Sequence, residues 1–371
     1  MPDRISIHDA AAIDQLRREL RIEPGLIRRV RIALLKHFRG AQAALEALPA
    51  GVRGRFAERV DFHPLTLHKR CDSRVDGATK LIFRTRRGML IESVLLRAGT
   101  GRVALCVSSQ VGCAAACGFC ATGKMGIAHN LSAAEVLDQV VQANQQLRLD
   151  SEGGDGPSDR AGGRAVRNIV FMGMGEPLHN EATLYDTLAT LTAPQGFHHP
   201  PSRILVSTVG VADGMLRFAR RFPGVNLALS LHSVRQATRE AIIPLAKRYP
   251  LDVLRETLRG VQAESGRLVM IEYLMLAGVN DSLAEAAELI DWLAGLDAHV
   301  NLIPYNQVVD APHLTGSDRP TREAFAGVLK RAGLPTTIRY SMGHDIEAAC
   351  GQLVRKENRA VAAELAKARS G

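Results

Sequence analysis

The chain has 371 residues, a formal net charge of +9 and six cysteines, four of which lie between Cys106 and Cys120. No stretch reaches the roughly 20 apolar residues of a membrane span, and no apolar signal core follows the N-terminus, so we expect a cytoplasmic protein without a membrane partner. The crowded cysteines are unlike the framework of a secreted disulfide protein and favour metal or redox chemistry. The positive charge favours a nucleic-acid partner.

Residues 1–75 are predicted to form a helical, basic accessory domain. Pro24 can open a helix, because proline fits the first helical position. One face of this helix is apolar and consists of Ile27, Val30, Leu34, Leu35 and Phe38. The other face is basic and consists of Arg28, Arg29, Lys36 and Arg39. Such a face suits contact with RNA, and an ordinary solvated surface is the alternative.

Residues 76–310 alternate β-rich runs with helical runs, which is the pattern of parallel strands joined by helical crossovers. The strands are predicted at 104–108, 168–172, 203–207, 226–230, 268–274 and 299–303. The helices are predicted at 132–147, 181–191, 211–221, 252–264 and 283–293. We therefore predict an α/β fold, a partial (β/α)6 TIM-like barrel with its active site at the C-terminal ends of the strands. Residues 150–164 are predicted to be a flexible surface insertion, and residues 311–371 a C-terminal extension.

Three cysteines follow the first predicted barrel strand in the spacing C-x-x-x-C-x-x-C: Cys113, Cys117 and Cys120. Three thiolates can bind three irons of a 4Fe-4S cluster and leave the fourth iron open, as a cluster that binds its substrate requires. A structural zinc site completed by Cys106 or His129 is the alternative.

The loop, with Phe119 before its last cysteine, resembles the signature of the radical S-adenosyl-L-methionine (SAM) superfamily. In that superfamily the open iron chelates SAM, and reduction cleaves SAM to methionine and a 5′-deoxyadenosyl radical. The segments CVSSQVGC, CATGKMG, GMGEP, SLHS, GVND, NLIPYN and AACGQL further resemble the RlmN/Cfr family of RNA adenine methyltransferases. The resemblance implies a radical SAM barrel with one 4Fe-4S cluster on Cys113, Cys117 and Cys120.

The resemblance also implies which residues bind SAM, and these follow the predicted strands: Gly175, Glu176, Ser207, Ser230, Leu231, His232 and Asn306. The glycines of GMGEP permit a tight turn, and Glu176 can accept hydrogen bonds from the SAM amino group. His232 could instead be a packed histidine, and Asn306 could cap a loop.

Cys350, Cys106 and Glu92 carry the reaction that the resemblance implies. Cys350 takes a methyl group from one SAM, and a second SAM yields the radical that activates this methyl group for addition to the adenine. Glu92 accepts a proton from the adduct, although a surface strand residue is its alternative interpretation. Cys106 then forms a transient disulfide with Cys350, which thiol reductants must reopen. Cys71 has no motif.

By this resemblance the substrate is an adenine, at carbon 2 or carbon 8, in RNA. The RNA is 23S ribosomal RNA, with tRNA as a second candidate, and the electron donor is a protein such as flavodoxin or ferredoxin. Two alternatives remain at this stage. Another radical SAM modification of RNA, such as methylthiolation, would not need Cys106 and Cys350. A non-catalytic, zinc-stabilised RNA-binding protein would leave GMGEP, SLHS and AACGQL unexplained.

Overall fold

The computed structural model describes residues 4–126, 128–152, 165–353, 358, 360 and 361. Residues 153–164 of the predicted insertion lie outside this set. No helix in the described ranges is long and apolar enough to cross a membrane.

The N-terminal part packs several short helices around its own apolar core. Its elements are β1 (Ile5–Ser6), α1 (Ala10–Glu19), α2 (Pro24–Leu35), α3 (Ala41–Leu45), α4 (Ala50–Arg59) and β2 (Val60–Asp61). The predicted apolar face of α2 is buried at Ile27, Val30, Leu34 and Leu35. Phe38 is not part of it, because α2 ends at Leu35 and the backbone at Phe38 turns left-handed with φ of 49°.

The basic face of α2 divides between solvent and the rest of the protein. Arg28 and Arg29 are exposed. Lys36 instead donates from Nζ to the carbonyl of Pro194 at 2.9 Å, so part of the predicted basic face attaches the N-terminal part to the barrel.

Three antiparallel strands precede the barrel: β3 (Thr66–Asp72), β4 (Ala78–Arg84) and β5 (Leu90–Arg97). Residues 66–72 are therefore strand, although the sequence predicts helical structure up to residue 75. The reason is that β3 is the edge strand of the sheet, where polar side chains stay exposed and no apolar alternation marks the strand.

The next elements carry the chain across the mouth of the barrel. They are β6 (Val103–Cys106), β7 (Gln110–Gly112), β8 (Ala128–Asn130) and α5 (Ala133–Glu152). Strand β6 pairs antiparallel with β5 and parallel with the following barrel strand. Strands β7 and β8 form a separate antiparallel pair that frames the cysteine loop.

The remaining elements alternate strand and helix. The strands are β9 (Asn168–Phe171), β10 (Ile204–Thr208), β11 (Asn226–Ser230), β12 (Val269–Met275), β13 (Ala298–Pro304) and β14 (Thr336–Ile338). The helices are α6 (Glu181–Thr192), α7 (Ala212–Arg221), α8 (Gln236–Ile242), α9 (Leu251–Ser265), α10 (Leu283–Leu293) and α11 (Arg319–Arg331). All neighbouring pairs from β6 through β9 to β14 are parallel. Within the described residues the sheet has ten strands, in the order β14-β13-β12-β11-β10-β9-β6-β5-β4-β3.

The predicted α/β partial barrel is confirmed. Each of the six predicted strands is present with ends within two residues of the predicted ones. The parallel run has one further strand, β14, whose three residues are all partly or fully exposed. The core formed by the parallel strands is mainly apolar, and Ile169, Val206, Leu229, Ile271 and Val300 are fully buried. This packing fixes the strand ends where the site lies.

The C-terminal segment returns across the barrel mouth. The amide of Ala121 donates to the carbonyl of Gly351 at 2.8 Å, which joins this segment to the cysteine loop. Further along, the side chain of Asn358 donates to the carbonyl of Leu90 at 2.7 Å and accepts from its amide at 2.6 Å. Cys350 is thereby brought over the ends of the parallel strands.

Candidate active site

Two cavities meet at the C-terminal ends of the parallel strands, and Cys350 lines both. The first, which we call the cysteine-loop cavity, has a volume of about 130 Å³ and is also lined by Cys113, Cys117 and Cys120. The second, which we call the Cys106 cavity, has a volume of about 170 Å³. The structure thus brings Cys350 together with the four cysteines between Cys106 and Cys120, which are distant from it in the sequence.

The cysteine loop is folded tightly. The amide of Cys120 donates to the carbonyl of Cys117 at 3.2 Å, and the amide of Gly118 donates to the carbonyl of Ile242, the last residue of α8, at 2.8 Å. At Gly123 a β-carbon would lie 2.8 Å from the backbone nitrogen of Cys117, so the chain can pass here only without a side chain. These contacts hold three thiols toward one cavity.

The three thiols fit a cluster better than a single ion. Burial, together with Glu176 and the neighbouring cysteines, raises the pKa of Cys113 to about 12 and raises that of Cys117 well above its ordinary value. Stable thiolates here require a metal charge beside them. No three His, Cys, Asp or Glu side chains in the described ranges converge closely enough for a single metal ion, whereas a 4Fe-4S cluster takes each thiolate on a different iron.

The GMGEP turn follows β9 and packs against the loop after β6. Gly175 has φ of 105°, and a β-carbon there would lie 2.7 Å from that of Gln110. Glu176 is buried, and its two carboxylate oxygens accept amides of Leu178 at 3.0 Å and Val209 at 2.9 Å. Burial raises the pKa of Glu176 to about 7. Both Gly175 and Glu176 line the cysteine-loop cavity.

Three of the other predicted SAM residues line the same cavity. Ser207 and Ser230 end adjacent strands, and their hydroxyl oxygens are 3.3 Å apart. His232 accepts the amide of Leu274 on Nδ1 at 3.0 Å, so Nε2 carries the proton of the neutral ring. Burial and then Arg239 lower the pKa of His232 to about 3. The ring also packs edge-to-face against Phe119, with the ring centroids 4.9 Å apart.

Leu231 and Asn306 do not line the cysteine-loop cavity among the described residues. The side chain of Leu231 is fully buried in the main core, its amide donates to the carbonyl of Glu272, and its carbonyl accepts from Arg239. Asn306 donates from Nδ2 to the carbonyl of Cys350 at 3.1 Å. In this structure Asn306 therefore holds the segment that carries Cys350.

Cys106 and Cys350 face each other across the Cys106 cavity. Burial and then the charge of Cys350 raise the pKa of Cys106 to about 12. Cys350 is exposed and lines both cavities, and desolvation by the surrounding protein raises its pKa to about 11. Neither thiol would be reactive without a compensating positive charge.

Arg339 places a positive charge beside both thiols, whose pKa values stay raised with this charge present, and the sequence analysis missed it. It follows β14 and lines the Cys106 cavity, and its guanidinium lowers the pKa of both Cys106 and Cys350. Its Nη1 lies 3.5 Å from Oε2 of Glu272, a buried carboxyl group on β12 that burial holds at a raised pKa. Only the pairing of β13 with β14 brings Arg339 here, so no sequence motif could have indicated it.

Glu92 is fully buried on β5, so its interpretation as a surface strand residue is wrong. Its Oε1 lies 3.7 Å from Nζ of Lys80, and Lys80 also donates to the carbonyl of Glu347 at 3.1 Å. Glu92 does not line either cavity among the described residues. It lies behind the C-terminal segment and is connected to it through Lys80.

Comparison with known proteins agrees with this arrangement. A radical SAM methyltransferase from Sphaerobacter thermophilus has a similar structure, with a TM-score of 0.86 and 37% identity over 94% of this chain and 99% of that one. A probable RNA methyltransferase of Rhodopirellula baltica is 54% identical over 96% of this chain and 90% of its own length. A probable dual-specificity RNA methyltransferase RlmN of Thermus thermophilus is 40% identical over 89% of each chain. No protein-family model matches.

The barrel, the three-cysteine loop and these relatives define an enzyme of the radical SAM methyltransferase class. Within that class, the chain belongs to the RlmN family of RNA methyltransferases.

Proposed function

We propose that this enzyme methylates a ring carbon of an adenine in RNA, using Cys350 as the methyl carrier. The observation that carries the proposal is the position of Cys350, which lines both the cysteine-loop cavity and the Cys106 cavity. A thiol in that position can take a methyl group on one side and be released by a second thiol on the other.

Cys113, Cys117 and Cys120 would hold a 4Fe-4S cluster with one open iron, and SAM would lie against Gly175, Glu176 and the strand-end residues of the cysteine-loop cavity. When bound, the cluster would supply the electron that cleaves SAM to a 5′-deoxyadenosyl radical. The electron would come from a protein donor such as flavodoxin or ferredoxin. The oxygen-rich wall formed by Ser207, Ser230 and Glu176 suits the hydroxyl and amino groups of SAM.

The residues of the chain then act in sequence. The Cys350 thiolate, stabilised by Arg339, accepts a methyl group from one SAM. The 5′-deoxyadenosyl radical from a second SAM would remove one hydrogen atom from this methyl group, and the resulting carbon would add to the adenine ring. The adduct would return one electron to the oxidised cluster, and Glu92 takes the proton from the substituted ring carbon, which restores the aromatic ring. The Cys106 thiolate attacks the Cys350 sulfur, the Cys350 carbon–sulfur bond breaks, and its electron pair with one proton completes the methyl group. The resulting disulfide is reduced by cellular thiols.

The substrate is an adenine of 23S ribosomal RNA, with tRNA as a second substrate, modified at carbon 2 or carbon 8, and the enzyme acts in the cytoplasm. The exposed Arg28 and Arg29 of α2 support binding of a phosphate backbone. A target adenine must be unstacked to enter the barrel mouth, which explains why the reacting thiol lies in a cavity and not on a flat surface.

Anaerobic reconstitution with iron and sulfide, followed by reaction with SAM, a reductant and 23S rRNA fragments or tRNA, tests the proposal. The Cys106→Ala variant should accumulate protein crosslinked to RNA, and Cys350→Ala should form neither crosslink nor product. Cys71→Ala is the matched control, since Cys71 lies on the edge strand β3 and should leave turnover unchanged. Mass mapping of the nucleotide identifies the carbon. Stoichiometric zinc without iron, or activity in Cys350→Ala, would refute the proposal.

A further inference from the structure

A charged side chain lies buried behind the cysteine loop. Arg239, on α8, is the largest fully buried side chain in the part of the chain that the structure describes, at 0% exposure. Its guanidinium donates from Nε to the carbonyl of Leu231 at 3.1 Å and from Nη2 to the carbonyl of Val209 at 2.6 Å. These carbonyls follow the ends of β11 and β10, so Arg239 braces the two strand ends that carry Ser230 and Ser207.

The bracing does not account for its positive charge. Within the described residues, Nη1 of Arg239 has no hydrogen-bond partner, and no carboxylate there forms an ion pair with it. Burial of a guanidinium without a counter-charge is costly, and burial lowers the pKa of Arg239 to about 10. A site that keeps such a group is expected to place an anion beside it.

The cysteine loop is the anionic neighbour. Arg239 lies on the side of the barrel that faces the loop, because Val209, whose carbonyl accepts from its guanidinium, lines the same cavity as Cys113, Cys117 and Cys120. The loop is also fixed to the same helix, because the amide of Gly118 donates to the carbonyl of Ile242 at the end of α8 at 2.8 Å. Helix α8 therefore fixes the guanidinium and the cluster-binding loop in one relative position.

We propose that Arg239 is a positioning residue that places a buried positive charge beside the iron–sulfur cluster and stabilises its reduced form. The inference rests on the proposed function, because it requires a cluster on Cys113, Cys117 and Cys120. Reduction adds one negative charge to the cluster, and in a buried site a fixed cation nearby lowers the free energy of that state. The reduced cluster is the state that donates its electron to SAM.

The test is a redox titration of the reconstituted cluster, followed by electron paramagnetic resonance without SAM. At a fixed potential, Arg239→Met should reduce the ratio of reduced to oxidised cluster about tenfold, which equals 59 mV for one electron. Arg239→Lys keeps the charge and loses the forked hydrogen bonds, so its ratio should stay within a few-fold of the wild type. Equal ratios in wild type and Arg239→Met, or equal losses in both variants, would overturn the proposal.

A second measurement does not depend on the folding of Arg239→Met. In wild-type protein labelled with ¹⁵N-arginine, pulsed electron paramagnetic resonance of the reduced cluster should detect a ¹⁵N coupling that is absent from Arg239→Lys. The exposed Arg217, paired with Glu181 at 2.7 Å, supplies the control, since Arg217→Lys should retain the coupling. Lack of a ¹⁵N coupling in the wild type refutes the inference alone, whereas failure of the wild type to bind iron refutes the proposed function.

Discussion

The side-chain amide of Asn306 donates a hydrogen bond to the backbone carbonyl of Cys350 at 3.1 Å. Asn306 follows β13, and Cys350 lies in the C-terminal segment, so this bond fastens the segment to the barrel next to the reacting thiol. A second bond, from the amide of Ala121 to the carbonyl of Gly351, fastens it to the cysteine loop. Together they set the position of Cys350 between its two cavities.

We therefore expect Asn306→Ala to loosen the segment around Cys350. One lost hydrogen bond of about 1 kcal/mol should increase hydrogen exchange across residues 343–353 about fivefold, as measured by mass spectrometry. Asn226→Ala is the control, because Asn226 makes a similar bond to the carbonyl of Ser202 at 2.8 Å at the opposite end of the barrel. Unchanged exchange together with weaker SAM binding would show that Asn306 acts as a SAM ligand instead.

Arg339 should control the reactivity of Cys350. The guanidinium lowers the thiol pKa, so Arg339→Met should raise that pKa and slow alkylation of Cys350 by iodoacetamide about tenfold per pKa unit at neutral pH. Peptide mapping of the metal-free protein follows the rate at this one cysteine. Arg339→Lys should retain most of the rate, and Arg217→Met, at an exposed ion pair, should retain all of it. A rate independent of Arg339 would contradict the assignment.

The barrel was predictable because its strands are short apolar runs between amphipathic helices, and this pattern can be recognised in a single sequence. Strands β3 and β14 were not, since edge strands expose polar side chains and lack the alternation of a buried strand. Helix α8 was also missed, because it has seven residues and its most buried side chain is Arg239, which interrupts the apolar pattern.

The candidate site was predictable to the extent that its residues lie in contiguous motifs. The cysteine loop and the GMGEP turn are local structures, so the spacing of their residues in the sequence is enough to predict that these residues lie together. The role of Asn306 as an anchor, the burial of Glu92 and the charge of Arg339 depend instead on contacts between distant segments, such as β13 with β14. A sequence pattern does not specify such contacts. A resemblance to a family can indicate which residue is functional, but it does not show which residue contacts it in the fold.

His8 should make the stability of the protein depend on pH. The ring is buried and stacks on Phe197, with the ring centroids 6.3 Å apart. Neither ring nitrogen has a hydrogen-bond partner among the described residues. Burial and then Arg31 lower its pKa to about 3. The unfolded chain therefore protonates this histidine near pH 6.5, whereas the folded chain protonates it only near pH 3. The contribution of His8 to the free energy of unfolding is fully present above pH 6.5 and is lost as the pH falls toward 3.

At pH 5 this loss should be about 2 kcal/mol. We expect His8→Phe to keep the stacking contact and to reduce the fall in Tm between pH 8 and pH 5. The exposed His37 is the control, and His37→Phe should leave the fall unchanged. An equal pH dependence in wild type and His8→Phe would show that His8 does not contribute to it.

Gly175→Ala should distort the turn that lines the cysteine-loop cavity. The new β-carbon would lie 2.7–2.8 Å from atoms of Gln110, and the backbone has φ of 105°. Clash and strain together should cost about 3 kcal/mol of unfolding free energy, measured by urea denaturation of the metal-free protein. Gly101→Ala separates the two effects, because Gly101 has φ of 77° with no atom within 4 Å, so we expect about 1 kcal/mol there. Equal losses would exclude the clash.

Glu92→Gln should stop the reaction after the adenine has bonded to the methyl carrier. Glutamine fills the same space beside Lys80, but it cannot take the proton from the substituted ring carbon. We expect methylated Cys350 and crosslinked RNA to accumulate, measured by mass spectrometry and denaturing gels, while released product falls at least 100-fold. Glu285→Gln is the control, because Glu285 is equally buried but bonds Ser233 away from both cavities. Normal product release by Glu92→Gln would assign the proton to another group. Glu272 is then a candidate, since it lines the cysteine-loop cavity and burial raises its pKa.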